Sequence, residues 1–253
     1  MLLRHNEGRI RQCFWRREPQ HERRLMKVAA IIAAGGVGAR LQSKVHKPFI
    51  LLAGRPMIVW TVGLFEKTPS VDEIIVSIHP DDIVRFWTLA QQYRLGKVRA
   101  VVAGGRSRMA SVANGLRAVS QTVRWVLVHD AARPLAAPAL VESTIHAARS
   151  SGAAIAAVPV VPTIKEARGL WVTKTLDRKN LWAVQTPQVF RRDLLERAHR
   201  NGLTRKIDAT DDAALVESLG HRVRLVPGSP RNIKVTTPED VVIAQALLKN
   251  VDR

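Results

Sequence analysis

The stretch Lys27–Pro48, KVAAIIAAGGVGARLQSKVHKP, decides how the rest of the chain is interpreted. It begins with an unbroken apolar run, Val28–Ala34, which is typical of a strand buried on both faces of a parallel sheet. The glycine-rich segment 35–38 follows, where the backbone can turn sharply and approach a ligand closely. Arg40 and Lys47 come next and would neutralise an anion held by backbone N–H groups. The segment is therefore either a phosphate-binding loop or a tight turn followed by two solvated cations.

Two common phosphate motifs do not fit this loop. The Walker pattern is absent because no Gly-Lys-Ser/Thr follows the turn, and the dinucleotide pattern fails because Ala39, Arg40 and Leu41 follow Gly38. What remains is G-x-G-x-R with a Lys-Pro pair seven residues after the arginine. That pattern resembles the signature loop of nucleotidyltransferases that join a nucleoside triphosphate to a sugar phosphate.

Length and composition fit a globular protein without membrane spans. The chain has 253 residues and 46% hydrophobic residues, enough for one large domain or two small ones. No apolar run approaches the roughly 20 residues needed to cross a bilayer, so we expect a soluble protein. The single cysteine, Cys13, excludes an intrachain disulfide and a cysteine-based metal cluster. This cysteine usage favours a cytoplasmic location.

The net charge of +19, from 40 Lys+Arg against 21 Asp+Glu, raises nucleic acid as a possible partner. However, the basic residues are scattered, aromatic residues make up only 5% of the chain, and no helix-turn-helix or zinc-finger pattern is present. An enzyme that handles polyphosphorylated substrates also benefits from positive charge. We therefore interpret the excess as background plus substrate attraction, and expect no specific nucleic acid and no membrane as partner.

The first residues differ in character from the rest. Residues 1–25 contain seven arginines and three glutamates and lack the apolar core of a secretory signal. Met26 stands directly before the first strand, so the upstream part is either a disordered tail or an over-extended start. We predict a disordered basic leader over residues 1–26 and a single domain over residues 27–253.

Beyond the glycine loop, apolar strand-like runs alternate with helical segments. The predicted strands after Val28–Ala34 are 73–78, 98–102, 125–128 and 153–158, and the predicted helices between them are 54–67, 81–93, 109–119 and 138–150. Asp81 and Ser107 are the expected caps of two of these helices. After a hairpin, the pattern predicts a return strand at 181–185, helices near 193–200 and 211–219, a strand at 222–226 and a last helix from Pro238. This rhythm predicts an α/β fold, a Rossmann-like, mostly parallel sheet with helices on both faces.

Ligands of such sheets bind beyond the carboxyl ends of the strands. Three of these ends carry polar or glycine residues, namely 34–36, Gly104-Gly105 and His129-Asp130. We expect them to form the functional site.

A protruding hairpin interrupts the alternation at about residues 163–180. Residues 163–166 and 171–175 flank Arg168-Gly169 and are predicted to pair. Because a lone hairpin is marginally stable in water, we expect it to pack against a partner subunit and support a homodimer.

The ordered motifs GGRSRMASV, VHDAARP, TIKE, LDRKNLWAVQTPQVF, TDDAALVESLG and NIKVTTPED follow the glycine loop. Together they resemble the 2-C-methyl-D-erythritol 4-phosphate cytidylyltransferase family over about Lys27–Lys249. The resemblance implies a nucleotide-diphospho-sugar transferase type of fold. It also implies transfer of CMP from CTP to methylerythritol phosphate with release of pyrophosphate.

The resemblance implies a role for each matched residue on the CTP side. Backbone groups of Ala34, Gly35, Gly36 and Gly38 would hold the ribose and triphosphate, and Gly105 and Ser111 would read the cytosine. Arg40 and Lys47 would neutralise the α-phosphate as it becomes five-coordinate.

On the acceptor side, the resemblance assigns these residues to methylerythritol phosphate: Asp130, Arg133, Thr163, Thr186, Lys234 and Arg178. Arg178 would reach the acceptor of a neighbouring subunit, and Asp130 would also lie near Mg²⁺, the implied cofactor. Arg40, Lys47, Arg178 and Lys234 are the expected catalytic residues.

Simpler interpretations exist for several of these residues. Asp130 could cap a turn, Arg133 could be a surface charge, and Arg178 lies in a charged run that is usually a solvated face. His46, His79 and His129 show no metal-ligand spacing, so a histidine metal site is not expected.

Two residues depart from the family pattern. Arg106 stands where the family commonly has an acidic residue near the base, so base recognition would depend on the backbone and Ser111. His46 precedes Lys47 where proline is usual.

Two rival functions are compatible with the same sequence. One is a cytidylyltransferase for another polyol phosphate, such as ribitol 5-phosphate, and the other is a nucleic-acid-binding protein on a degenerate transferase fold.

Overall fold

A computed structural model describes residues 26–35 and 45–249. Residues 1–25 of the predicted leader and the loop residues Gly36, Gly38 and Arg40 lie outside the described residues. The strands are β1 (Val28–Ala34), β2 (Leu51–Leu52), β3 (Arg55–Pro56), β4 (Glu73–Ile78), β5 (Val98–Ala103), β6 (Trp125–Asp130), β7 (Ala153–Pro159), β8 (Lys165–Arg168), β9 (Trp171–Thr175), β10 (Trp182–Arg191) and β11 (Arg224–Pro227).

Seven strands form the central sheet in the order β11-β7-β10-β6-β1-β4-β5. The pairs β6–β1, β1–β4, β4–β5 and β7–β11 are parallel, whereas β10 runs antiparallel to both of its neighbours. The predicted mostly parallel sheet is therefore confirmed. The carboxyl ends of β1, β4, β5 and β6 consequently lie at the same edge.

Helices cover both faces of the sheet. They are α1 (Met57–Glu66), α2 (Ile83–Gln92), α3 (Arg108–Ala118), α4 (Pro138–Ser151), α5 (Arg192–Arg205), α6 (Asp212–Glu217) and α7 (Pro238–Lys249). Buried residues of α1, α2 and α4 share one core with Val28, Ala30 and Ile32, and those of α3, α5 and α6 share the other with Ala29 and Ile31. Side chains of β1 thus alternate between two cores, which explains its unbroken apolar sequence.

Most predicted elements are confirmed within a few residues, and one predicted cap is wrong. The Ser107 side chain accepts a hydrogen bond from the backbone N–H of Ala110, as expected of a cap. Asp81 does not cap the helix that follows it, because residues Pro80–Asp82 form a 3₁₀ turn and α2 begins only at Ile83. In the described ranges, no helix is both long and apolar enough to cross a bilayer.

The predicted hairpin is present as β8 and β9, with Gly169 at the turn in a left-handed conformation (φ 58°). Every residue of both strands is exposed. Leu170 and Trp171 near its tip are 99% and 82% exposed, so the hairpin offers a large apolar surface.

Helix α3 lies against β1 through a close approach at Gly115. A Cβ atom on Gly115 would stand 2.7 Å from Cγ2 of the buried Ile31, whereas one on Gly63 of α1 would meet no atom within 4 Å. We expect Gly115→Ala to lower the free energy of unfolding by about 1–3 kcal/mol through overpacking. Gly63→Ala should raise it by about 0.4–1 kcal/mol, because alanine restricts the unfolded chain.

Urea denaturation of both variants beside the wild-type chain measures this difference. Equal effects of the two substitutions would contradict the packing described for Gly115.

Candidate active site

A cleft of about 690 Å³ opens at the carboxyl ends of the parallel strands. This volume lies within the range of small-molecule sites, about 300–1,000 Å³. The residues that line it are Ala33, Ala34, Gly35, Lys47, Pro48, Met57, His79, Pro80, Gly104, Gly105, Arg106, Ser107, Arg108, Ser111, Asp130, Ala131, Ala132, Lys234 and Thr236. The three strand ends that the sequence singled out therefore meet in one cavity.

Glycines let the ends of β1 and β5 approach each other at the floor of the cleft. A Cβ atom on Gly104 would lie 3.1 Å from the Cα atom of Gly35, and one on Gly105 would lie 2.4 Å from the Cβ atom of Ala110. The Ser111 hydroxyl accepts from the Gly105 N–H (3.0 Å) and donates to the carbonyl of Ser107 (2.9 Å). The start of α3 is thereby fixed against the two strand ends.

Asp130 is the centre of the polar side of the cleft. Its Oδ2 atom lies 2.7 Å from Nζ of Lys234 and 3.9 Å from Nε of Arg133, and its Oδ1 atom accepts from Nε of Arg108 at 3.1 Å. Among the described residues that line the cleft, Asp130 carries the one carboxylate. Four other lining side chains are cationic, so the cavity suits an anion.

Neighbouring charges determine the protonation states of Asp130 and Arg108. Burial opposes ionisation of the Asp130 carboxyl, but Arg108 and Lys234 outweigh burial and hold its pKa well below the usual range. Burial also works against the charge of Arg108, yet Asp212 and Asp130 together raise its pKa. The carboxylate and the guanidinium therefore both stay charged at neutral pH.

Arg108 links the cleft to a buried carboxylate that the sequence did not indicate as part of the site. One of its terminal nitrogens, Nη1, donates to Oδ2 of Asp212 at 2.6 Å, and Asp212 in turn is 2.9 Å from Nε2 of His199. The other, Nη2, is buried without a hydrogen-bond partner among the described residues. Two carboxylates thus hold the guanidinium of Arg108 between the cleft and the interior.

Thr186 and His129 support Asp130 from beneath. The Thr186 hydroxyl accepts from the backbone N–H of Asp130 (3.1 Å), so its proton is available for Nδ1 of His129 (3.0 Å). On its other side, Nε2 of His129 faces the carbonyl of Arg133 at 3.1 Å and must donate to it. The neutral Nε2–H tautomer of His129 satisfies both contacts.

Arg133 and Thr186 lie behind the cleft wall. Arg133 donates to the carbonyls of Asn232 (2.8 Å) and Val184 (3.3 Å), and it thereby ties the segment after β6 to β10 and to the segment that carries Lys234. Both residues thus act on Asp130 and its surroundings in this structure. Their contact with an acceptor stays a prediction.

The structure places the remaining predicted residues in two groups. Ala34, Gly35, Gly105, Ser111, Lys47 and Lys234 line the cleft together with Asp130. Thr163 and Arg178 are exposed at the two ends of the hairpin and do not line it. The guanidinium of Arg178 donates to the carbonyl of Val161.

Comparison with known proteins identifies the family. The sequence profile described as 2-C-methyl-D-erythritol 4-phosphate cytidylyltransferase matches residues 28–250. A protein of that name from Syntrophus aciditrophicus is 43% identical over 225 residues, which is 88% of this chain and 96% of that protein. Another from Syntrophotalea carbinolica is 45% identical over 226 residues, with 88% and 97% covered.

Solved structures with the same or an equivalent name are similar to this chain over most of its length. A 4-diphosphocytidyl-2C-methyl-D-erythritol synthase from Anaerococcus prevotii has a TM-score of 0.79 at 32% identity and covers 88% of this chain and 99% of its own. The 2-C-methyl-D-erythritol 4-phosphate cytidylyltransferase of Thermus thermophilus has a TM-score of 0.73 at 34% identity, with 88% and 100% covered.

The buried His129 predicts a pH dependence of stability. Burial is the main cause that lowers its pKa from 6.5 to about 4. Between these values the unfolded chain takes up a proton that the folded chain does not, so stability falls as the pH falls through this window. We expect His129 to account for about 2 kcal/mol of lost stability between pH 7.5 and pH 5.

Denaturant unfolding at the two pH values measures this loss, and His129→Gln should make it smaller by that amount. If the variant does not fold, the titration of the His129 ring followed by NMR in the wild-type chain replaces it. A titration midpoint near 6.5 would contradict the conclusion that burial lowers the pKa of His129.

Proposed function

The chain belongs to the 2-C-methyl-D-erythritol 4-phosphate cytidylyltransferase family, and we propose that its cleft carries out the reaction of that family. The reaction transfers CMP from CTP to 2-C-methyl-D-erythritol 4-phosphate and gives 4-diphosphocytidyl-2-C-methyl-D-erythritol and pyrophosphate. The observation that carries the proposal is the meeting of Lys47, Arg108, Lys234 and Asp130 in one cavity floored by glycines.

The chemistry needs no general base. An oxygen of the acceptor phosphate attacks the α-phosphorus of CTP, a new P–O bond forms, and the bond to the β-phosphate breaks with release of pyrophosphate. A phosphate monoester is already mostly ionised at neutral pH, since its second pKa is about 6. Catalysis therefore consists of holding two anions in line and stabilising the charge that develops between them.

On the nucleotide side, the glycine floor allows the triphosphate to approach backbone N–H groups closely. Lys47 lies at the rim of the same cavity, where an ammonium group can reach an α-phosphate oxygen. The hydroxyl proton of Ser111 is already used on Ser107, which leaves an acceptor lone pair. An acceptor suits the amino group of cytosine, which is a donor.

On the acceptor side, Asp130 orients Lys234 and Arg108 so that both cations face the cleft. A single carboxylate in the cavity also fits Mg²⁺, because this ion is usually held by one or two carboxylates together with substrate phosphates. Mg²⁺ bound by Asp130 and CTP would supply neutralising charge to the phosphates. Among this chain's own residues, Lys234 would bind the acceptor phosphate and Arg108 would keep the Asp130 carboxylate in place.

The hairpin completes the proposal. Its exposed apolar tip supports a homodimer, and Arg178 at its base would then reach the acceptor bound to the neighbouring chain, with Thr163 beside it. The single cysteine supports a cytoplasmic location.

Pyrophosphate release by the purified chain with CTP and Mg²⁺ tests the acceptor. We expect turnover with methylerythritol 4-phosphate and at most weak turnover with ribitol 5-phosphate, because the chain belongs to the family that acts on the former. Turnover with ribitol 5-phosphate alone would overturn the acceptor assignment and leave the CTP chemistry standing.

Removal of a cation beside the α-phosphate should slow the reaction without unfolding the chain. We expect Arg40→Ala and Lys47→Ala each to lower kcat on the order of 10²–10³-fold, as is typical for loss of a preorganised charge. Lys67→Ala, which removes an exposed lysine after α1, serves as the control with unchanged kcat. An unchanged rate in either cleft variant, with circular dichroism matching the wild type, would overturn this mechanism.

A further inference from the structure

Three side chains beside the cleft converge on one point. His46 comes directly before the 3₁₀ turn of Lys47–Phe49, His79 follows the last residue of β4, and Asp82 ends the next 3₁₀ turn. One ligand atom from each lies within 4.8 Å of the other two. We propose that His46, His79 and Asp82 bind a first-row transition-metal ion of the Zn²⁺ type at the edge of the nucleotide cleft.

The three side chains are near enough to one another for a single ion to contact them all. Nδ1 of His46 lies 2.5 Å from Oδ2 of Asp82, and the rings of His46 and His79 have their centroids 5.0 Å apart. A tetrahedral Zn²⁺ ion with bonds of about 2.0–2.2 Å holds its ligand atoms about 3.4 Å apart. Binding of an ion would therefore move Nδ1 of His46 about 0.9 Å further from Oδ2 of Asp82. The side chain of His46 is 40% exposed, so neighbouring residues do not enclose it.

The charges and ligand types select the class of metal. Asp82 is buried and fixed at the start of α2, and the exposed carboxylate of Asp81 lies 3.6 Å from Nδ1 of His79. Two carboxylates therefore stand around two imidazoles in a chain that is otherwise strongly basic. Imidazole nitrogens favour Zn²⁺, Co²⁺ and Ni²⁺, whereas Mg²⁺ and Ca²⁺ prefer oxygen ligands.

The position of the site connects it to the cleft. The backbone N–H of Phe49 donates to the carbonyl of His46 at 2.9 Å, so His46 forms part of the turn that carries Lys47. His79 lines the cleft itself. A bound ion would fasten the turn to the end of β4 and thereby restrict where Lys47 stands. Three protein ligands leave a fourth position for water.

The spacing along the chain does not indicate this cluster. His46 and His79 are 33 residues apart, and the parallel pairing of β1 with β4 places the segments that follow these two strands at the same edge of the sheet. The expectation that no histidine metal site exists is therefore opposed by the geometry.

Zn²⁺ titration of the full chain after treatment with EDTA, in the presence of a chromophoric chelator, tests the proposal. We expect a single equivalent of Zn²⁺ to bind per chain in competition with the chelator, also in millimolar Mg²⁺. Co²⁺ in the same site should give the visible absorption of a tetrahedral complex. Zn²⁺ should also raise the melting temperature, because it binds the folded state.

Two variants remove a ligand. His46→Pro suits the local backbone, since φ of His46 is −56°, close to the value that proline requires. We expect His46→Pro and His79→Gln to weaken Zn²⁺ binding by at least about tenfold, because even loss of an outer partner of a metal site costs about 10–100-fold. Neither should then show the rise in melting temperature.

Two control variants change histidines outside the proposed site and so test whether Zn²⁺ binds there. His221→Gln changes a histidine that contacts the carbonyl of Ser151 and should bind Zn²⁺ like the wild type. The double variant His5→Gln/His21→Gln should do the same. Failure of the wild type to bind a stoichiometric ion overturns the proposal, and so does equal binding by His79→Gln or loss of binding in the double variant.

Discussion

The ionised carboxylate of Asp130 is the interaction on which the site depends. It lies at the end of a central strand, and three cations from separate parts of the chain converge on it: Arg108 from α3, Arg133 from the segment after β6, and Lys234 from the segment before α7. A buried carboxylate requires such partners, because an unpaired buried charge costs several kcal/mol. The Asp130 carboxylate thus determines the positions of the three cationic side chains around it.

The ion pairs around Asp130 contribute more to the positions of the charged side chains than to the stability of the fold. A buried ion pair contributes little net free energy when it is compared with apolar residues of the same volume, whereas removal of one partner is costly. Asp212 applies the same constraint to Arg108 from the other side, and its carboxyl stays ionised although it is buried, because Arg108 and His199 offset its desolvation. The guanidinium between the two carboxylates has little freedom, and a group held in this way needs little reorganisation when a phosphate arrives.

The sequence predicted what depends on local pattern. The apolar run of β1, the cap at Ser107 and the meeting of strand ends follow from periodicity and from the geometry of parallel sheets. The antiparallel direction of β10 could not be predicted in this way, because hydrophobic periodicity does not depend on the direction in which a strand pairs. The contact of Arg108 with Asp212 joins residues 104 positions apart, and neither residue is unusual in its own segment. The prediction that Asp81 caps a helix was wrong because residues Pro80–Asp82 form a 3₁₀ turn, so that α2 begins only at Ile83.

Hydrogen bonds at the base of the hairpin join the two segments that carry Thr163 and Arg178. The backbone N–H of Leu176 donates to the carbonyl of Ile164, that of Val160 donates to the carbonyl of Leu181, and Arg178 bonds to Val161. The two ends of the hairpin are therefore held together, with Thr163 and Arg178 on one hydrogen-bonded unit outside the cleft. Because the two ends are joined, packing of the hairpin against another surface would place Thr163 and Arg178 together. The apolar tip is the part of the same unit that gains most from being covered, which couples the placement of these two residues to burial of the tip.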